Sequence, residues 1–192
     1  MTLNYKTSFS TPFFDIEESI DPNNFNDHPY YRLTGCDSVI CCAMTNKGEF
    51  VMIKQFRPNI DQISLEFPAG GIKKDESPLK AARREFSEET SMISDFIPLG
   101  DFRLMMNRTN IKEHIFFGIN PIEDNTIKRE EGIEVNLVDR NDLINLSTNG
   151  GYKQLAGLGI IQLASNVLKL DILKEPMENV INKFNLRKRN ES

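Results

Sequence analysis

Two runs rich in β-branched and aromatic residues, 38-SVICCAM-44 and 49-EFVMIKQF-56, flank the polar, glycine-containing stretch 45-TNKG-48. That pattern predicts a strand hairpin. The segment 63-ISLEF-67 alternates enough for another strand, halted by Pro68 and the Gly70-Gly71 pair. Ser77 followed by Pro78 marks a helix start, because proline at the first helical position gives up an N–H that has no helical partner anyway. Leu79, Ala82 and Phe86 then recur at helical spacing and define a buried face. Further strands are expected at 97-IPLGDFRL-104, 114-HIFFGI-119 and 133-IEVNLVD-139, with a long polar loop, 120-NPIEDNTIKREEG-132, between the last two. Asp139 or Asn141 is placed to cap a short helix through Leu146, and 152-YKQLAGLGIIQLASNVLKL-170 is apolar enough to be a largely buried helix. The first thirty-odd residues, with 21-DPNNFNDHPYY-31, read as an irregular arm with short strands at its ends. No internal repeat or low-complexity segment is present.

Composition narrows the class. A chain of 192 residues with 39% apolar content has enough hydrophobic surface for one sizeable core. A net charge of −5 and a pI near 5.2 give no basic footprint for nucleic acid, and the short basic stretch 187-RKR-189 reads as a solvated tail. There is no apolar run of about 18 residues, and the N-terminus lacks the pattern of a signal peptide. A cytoplasmic protein without membrane or nucleic-acid partners is therefore expected. Cys36, Cys41 and Cys42 are odd in number, and no second cluster completes a zinc site. They read as reduced thiols on or beside a buried strand.

The acids on the helix are less ordinary. Glu85, Glu88 and Glu89 lie at spacings that share one helix face, where each like-charged pair costs roughly 0.2–0.5 kcal/mol. A hard cation such as Mg²⁺ wants six oxygens at about 2.0–2.1 Å, and three carboxylates on one face supply part of that set. The double glycine just before the helix lets the backbone pass close to an ion or a phosphate.

In the same register, Gly70, Glu76, Arg84, Glu85, Phe86, Glu88, Glu89 and Met92 fall on the motif G-x5-E-x7-R-E-U-x-E-E-x-G-U, where U is bulky and apolar. Eight of its nine fixed positions match, and the stretch resembles the Nudix hydrolase family. The departure is Ser91, where the family has glycine at a left-handed helix end. The resemblance implies an α/β fold, a Nudix α/β/α sandwich around a mixed sheet with an N-terminal antiparallel extension. Residues 1–37 would form the extension and 38–192 the hydrolase domain. It implies Mg²⁺, with Mn²⁺ also accepted by an all-oxygen site. The metal ligands would be the Ala69 carbonyl, Glu85, Glu88 and Glu89, with Glu88 also a candidate catalytic group. Arg84 would pair with a ligand carboxylate and fix its rotamer, and Glu76 would tie the loop to the helix.

Within the family, 66-EFPAGGIKKDESP-78 with 53-IKQFRP-58 is similar to the ADP-ribose pyrophosphatase branch, over residues 38 to 165. By that resemblance the chain is an enzyme that cleaves the diphosphate of a nucleoside diphosphate sugar, ADP-ribose giving AMP and ribose 5-phosphate. Arg57 would contact the substrate's phosphates or base, and Arg108 a phosphate. The branch carries its catalytic glutamate in the acidic loop, which selects Glu131 first and Glu130 second. The N-terminal arm would form a homodimer. No proline stands between Pro98 and Pro121, where members selective for ADP-ribose often carry one, so GDP-mannose or another sugar nucleotide remains the competing substrate. A non-catalytic sugar-nucleotide-binding regulator is the alternative from another class. His114 reads as structural.

Overall fold

The computed structural model describes residues 4–20 and 28–191. The N-terminal arm is better ordered than its sequence promised. Strands β1 (Tyr5–Ser10), β2 (Asp15–Ser19) and β3 (Tyr31–Thr34) form an antiparallel sheet in the order β1-β2-β3. The β1–β2 turn is held by Thr11, whose hydroxyl accepts from the N–H groups of Phe13 and Phe14. Of the proline- and asparagine-rich stretch, residues 21–27 lie outside the described residues.

The main sheet contains β4 (Ser38–Met44), β5 (Phe50–Arg57), β6 (Gln62–Glu66), β7 (Ala69–Gly71), β8 (Met92–Phe102), β9 (Glu113–Glu123) and β10 (Glu134–Val138). Its order is β10-β5-β4-β9-β8. The β4–β9 pair is parallel and the others are antiparallel, so the sheet is mixed. Helix α1 (Pro78–Thr90) follows β7, and α2 (Arg140–Asn149), α3 (Leu155–Leu168) and α4 (Met177–Glu191) complete the chain. None of the described helices is long and apolar enough to cross a membrane.

Why the sheet has helices on both faces is written in β4. Val39, Cys41 and Ala43 pack with Ala81, Ala82 and Phe86 of α1, while Ile40, Cys42 and Met44 pack with the cluster that includes α3 and α4. A strand covered on both sides reads as a continuous apolar run rather than an alternation. Edge-to-face aromatic pairs fill each layer: Phe86–Phe96 on the α1 side, with ring centroids 5.2 Å apart, and Phe117–Phe184 on the other, at 6.1 Å. Cys41 and Cys42 are buried in these layers, and Cys36 is exposed just before the strand.

The expected hairpin exists only at its turn. Ala43 pairs with Val51 and Met44 with Phe50, after which β4 and β5 separate. β5 then takes β6 as its partner, and β4 takes the short β7. This fork brings Ala69 opposite Ile40 and leads the glycine pair directly to the helix.

Three boundaries differ from expectation. β8 begins at Met92, straight after α1, because a register shift between Ile93 and Asp95 interrupts the period-two pattern without ending the strand. β9 runs on to Glu123, which shortens the polar loop to 124–133. The 187-RKR-189 stretch is no solvated tail: it lies on α4, and Lys188 Nζ reaches Asp95 at 2.5 Å. Among its described residues Val180 and Phe184 are fully buried, and Met177 and Ile181 pack beside them at helical spacing.

Candidate active site

Helix α1 starts as its sequence dictates. Ser77 caps it by accepting from the Lys80 N–H at 3.4 Å, and Pro78 occupies the first turn. At the other end Ser91 adopts φ 56°, the left-handed conformation, and its N–H donates to the Ser87 carbonyl. Between these caps the helix turns Ala81, Ala82 and Phe86 to the core, and presents Arg84, Glu85, Glu88 and Glu89 toward the glycine loop.

Arg84 organises the loop. Its Nε and Nη2 donate to the two oxygens of Glu76 at 2.9 and 2.8 Å, and Nη2 also donates to the Gly71 carbonyl at 2.9 Å. Its Nη1 donates to Glu85 Oε1 at 2.6 Å and Glu88 Oε2 at 3.0 Å. All five guanidinium hydrogens are thereby engaged. The Arg84 hydrogen bonds, with help from the Lys73 N–H, hold the Glu76 carboxyl down to about 2.

The glutamates differ in setting. Glu89 is 5% exposed and accepts from the Ala69 N–H at 2.9 Å. Burial pushes its carboxyl up to about 8 against the pull of that N–H, and the charges of Glu85 and Glu130 add to the rise. Burial also raises Glu85, opposed by Arg84. Glu88 is the most open, 45% exposed at its side chain. The Glu85 carboxylate rests directly on Gly70: a Cβ there would lie 2.2 Å from its carboxyl carbon. Only glycine fits.

Among the described residues, no three ligating side chains close into a cage around one point. Arg84 draws one oxygen of Glu85 and one of Glu88, and Ala69 draws one of Glu89. Each glutamate keeps its second oxygen outside any hydrogen bond among the described residues. Three hard oxygens, a backbone strand within reach of Glu89, and a buried carboxyl that resists ionisation fit the chemistry of a divalent cation.

Around this cluster the remaining candidates divide. The loop 124–133 is tied to the end of α1 by two backbone bonds, Asp124 N–H to the Ser91 carbonyl at 2.9 Å and Glu130 N–H to the Glu88 carbonyl at 2.8 Å. Glu130 is thus brought to the helix, and its charge acts on Glu89. Glu131, the first choice from sequence, lies one residue beyond the anchor, and its side chain makes no hydrogen bond or ion pair among the described residues. Arg57 ends β5 and acts on Glu89 through its charge. The Arg108 carbonyl accepts from Leu33 N–H at 2.7 Å, so its loop is joined to the N-terminal sheet, and its exposed side chain donates to the Asn107 carbonyl at 3.5 Å. His114 faces Asp37 at 3.5 Å.

Two features were missed from sequence. Glu66 is buried and clasps Arg57, a pairing across nine residues that only the β5–β6 register brings together. Tyr152 is buried over Gly157 and donates to Gln154 Oε1 at 3.2 Å, while the same oxygen accepts from Phe67 N–H, so the start of α3 is seated on the segment leading to Ala69. The signal for the second was the aromatic before a Gly-containing helix start, but nothing in periodicity assigned it a partner.

A family model described as the NUDIX domain matches residues 36–156, well over half of the chain. Among curated proteins, the ADP-ribose pyrophosphatase of Bacillus subtilis (strain 168) is 42% identical over 53 residues, 28% of this chain and 29% of that protein. The ADP-sugar pyrophosphatase of Mus musculus is 55% identical over 40 residues, 21% of this chain and 18% of that protein. The matched stretches thus span less than a third of those relatives' length. A crystal structure of an ADP compounds hydrolase superposes with a TM-score of 0.73 at 19% identity, covering 87% of this chain and 92% of that one, a likeness of fold. The motif on α1, the forked sheet that carries its glycine loop, and the family model agree: the chain belongs to the Nudix family.

Proposed function

We propose that the protein hydrolyses the diphosphate bond of a nucleoside diphosphate sugar, with ADP-ribose, cleaved to AMP and ribose 5-phosphate, as the leading substrate. The observation that carries this reading is the buried Glu89 beside Glu85, with Glu85 seated on the bare Cα of Gly70. A protein that only bound a sugar nucleotide would have no use for two carboxyls held where they resist ionisation. The names of the two pyrophosphatase relatives support the substrate class. GDP-mannose is the nearest competitor.

The Ala69 carbonyl, Glu85, Glu88 and Glu89 would hold Mg²⁺, or Mn²⁺ on the same oxygens, whose charge would neutralise the diphosphate and acidify a water. The protein's own groups do the rest. Arg84 fixes the rotamers of Glu85 and Glu88 through its Nη1. Arg57 offers the free end of its guanidinium to the diphosphate. Glu130, anchored by its N–H to the end of α1, accepts the proton of the attacking water; Glu131 is the second candidate. A carboxylate outside the ligand set suits this role because it keeps its basicity. The protein is further read as a cytoplasmic homodimer joined through its N-terminal sheet, with Arg108, on the adjoining loop, as a further candidate for a phosphate contact.

Incubation of the purified protein with ADP-ribose, ADP-glucose, GDP-mannose and UDP-glucose in Mg²⁺, followed by separation of nucleotides, tests the reading. AMP release from ADP-ribose is expected to be fastest. Faster release of GMP from GDP-mannose would transfer the assignment to that substrate. Saturable binding without turnover of any of the four would make the protein a regulator, the direction in which one relative's name points: the methanol dehydrogenase activator of Bacillus methanolicus, 40% identical over 53 residues, 28% of this chain and 29% of that protein.

A further inference from the structure

Arg57 and Glu66 lie outside the glutamate motif, at the ends of two paired strands. The ladder sets Arg57 opposite Gln62 and Ile53 opposite Glu66, so both side chains emerge on one face of the β5–β6 hairpin. The long arginine runs back along that face. Its Nε donates to Glu66 Oε1 at 2.8 Å and its Nη2 to Glu66 Oε2 at 2.5 Å, a two-point clasp with parallel bonds. Glu66 is 7% exposed, whereas the Arg57 side chain is 43% exposed. The buried partner is therefore the fixed one. Nη1 of Arg57 enters no hydrogen bond among the described residues.

The position of Glu66 in the chain adds to this. It ends β6 three residues before Ala69, where the chain leaves β5 for β4. The Phe67 N–H between them is held by Gln154 Oε1 at 3.4 Å. One short segment thus sets the orientation of Arg57 and the position of the Ala69 backbone beside Glu89.

We propose that Glu66 is a positioning residue for substrate: it grips one edge of the Arg57 guanidinium and leaves the other edge, Nη1, to an oxygen of the substrate's diphosphate. This rests on the reading of Arg57 as a diphosphate contact. A free arginine loses several rotatable bonds when it engages an anion, and a clasp that has already ordered the side chain reduces that cost at the moment of binding. Surface ion pairs of arginine commonly do nothing measurable. Glu66 differs because it is buried and both of its oxygens are used.

The experiment is calorimetric titration of ADP, in Mg²⁺, into the wild type, Arg57→Ala, Glu66→Gln and the double variant. Arg57→Ala is expected to weaken ADP binding about 30-fold and Glu66→Gln about 10-fold, in keeping with hydrogen bonds to charged groups. The double variant is expected to stay near the loss of about 30-fold, because residues acting through one contact do not add. Losses that multiply, to about 300-fold, would show Glu66 acting independently of Arg57 and overturn the proposal. So would a Glu66→Gln protein that binds ADP like the wild type while Arg57→Ala does not. If Arg57→Ala itself binds normally, or the wild type ignores ADP, the underlying contact is wrong and the proposal falls with it. Should Glu66→Gln melt early, Glu66→Asp keeps the charge on a shorter arm and is expected to weaken ADP binding about threefold in the wild-type background and not at all beside Arg57→Ala.

Discussion

At the scale of single residues, the site is defined by carboxyls that fold against their own preference. Glu89 moves from 4.5 to about 8 and Glu85 moves in the same direction. Both bind a proton more tightly folded than unfolded. The contribution of Glu89 to stability is complete below 4.5 and is lost as the pH rises through about 8, and that of Glu85 falls in the same sense. The metal-free protein is therefore expected to melt at lower temperature at about pH 9 than at about pH 6, by an amount worth roughly a few kcal/mol. Glu89→Gln should remove most of that slope, and its persistence in scanning calorimetry would show that other groups titrate. A second residue-scale expectation separates two neighbours. With Glu130 as base, Glu130→Gln lowers kcat about 10²–10⁴-fold with little change in KM, whereas Glu131→Gln stays within about threefold. The reverse pattern would return the assignment to Glu131. The sequence ranked Glu131 first; the proposal of Glu130 instead rests on one backbone hydrogen bond from Glu130 to Glu88, and the register of a loop against a helix end leaves no periodic trace.

At the scale of elements, α1 was legible from end to end because every device that makes it is local: a serine cap, a proline in the first turn, an apolar stripe, and acids at helical spacing. Its C-terminus carries the one departure. Ser91 holds φ 56° where a glycine would have no Cβ to crowd, so Ser91→Gly is expected to raise stability by about 1 kcal/mol, measured by chemical denaturation. A decrease would mean that the serine side chain does something there that its hydrogen bonds do not reveal. Elements that depend on distant partners were less readable. The hairpin of β4 and β5 was expected to zip fully, yet only its turn does, since the β7 segment competes for the edge of β4. β8 was begun several residues late because of its bulge. Helix α4 did carry a stripe at helical spacing, Met177, Val180, Ile181 and Phe184, which pack on the core and were not read as an element. Glu66 was visible as an acid ending a strand, but its use required knowing which residue of β5 lay within reach.

At the scale of the whole molecule, two sheets share one junction. Asp37 accepts the Ile72 N–H on its carbonyl at 2.8 Å and the Lys112 N–H on its carboxylate at 2.8 Å, so the end of the N-terminal extension, the glycine loop and the start of β9 meet there. The extension itself carries exposed aromatics, with Phe13 83% and Phe9 59% accessible. Exposed aromatics of this kind could seat another chain where they form a contiguous patch, and a second copy is the commonest partner. Light scattering at micromolar concentration is expected to give a dimer, and Phe13→Asp to shift it toward monomer; a fully active wild-type monomer would exclude that role. Diphosphate cleavage at the glutamates of α1 has a more direct test: AMP released from ADP-ribose in Mg²⁺ by the wild type and by Glu89→Gln at matched folded concentration. Steady release of AMP and ribose 5-phosphate in equal amounts is expected from the wild type, and a loss of at least about 10²-fold in kcat from the variant. Equal rates for the two proteins would contradict cleavage at these glutamates.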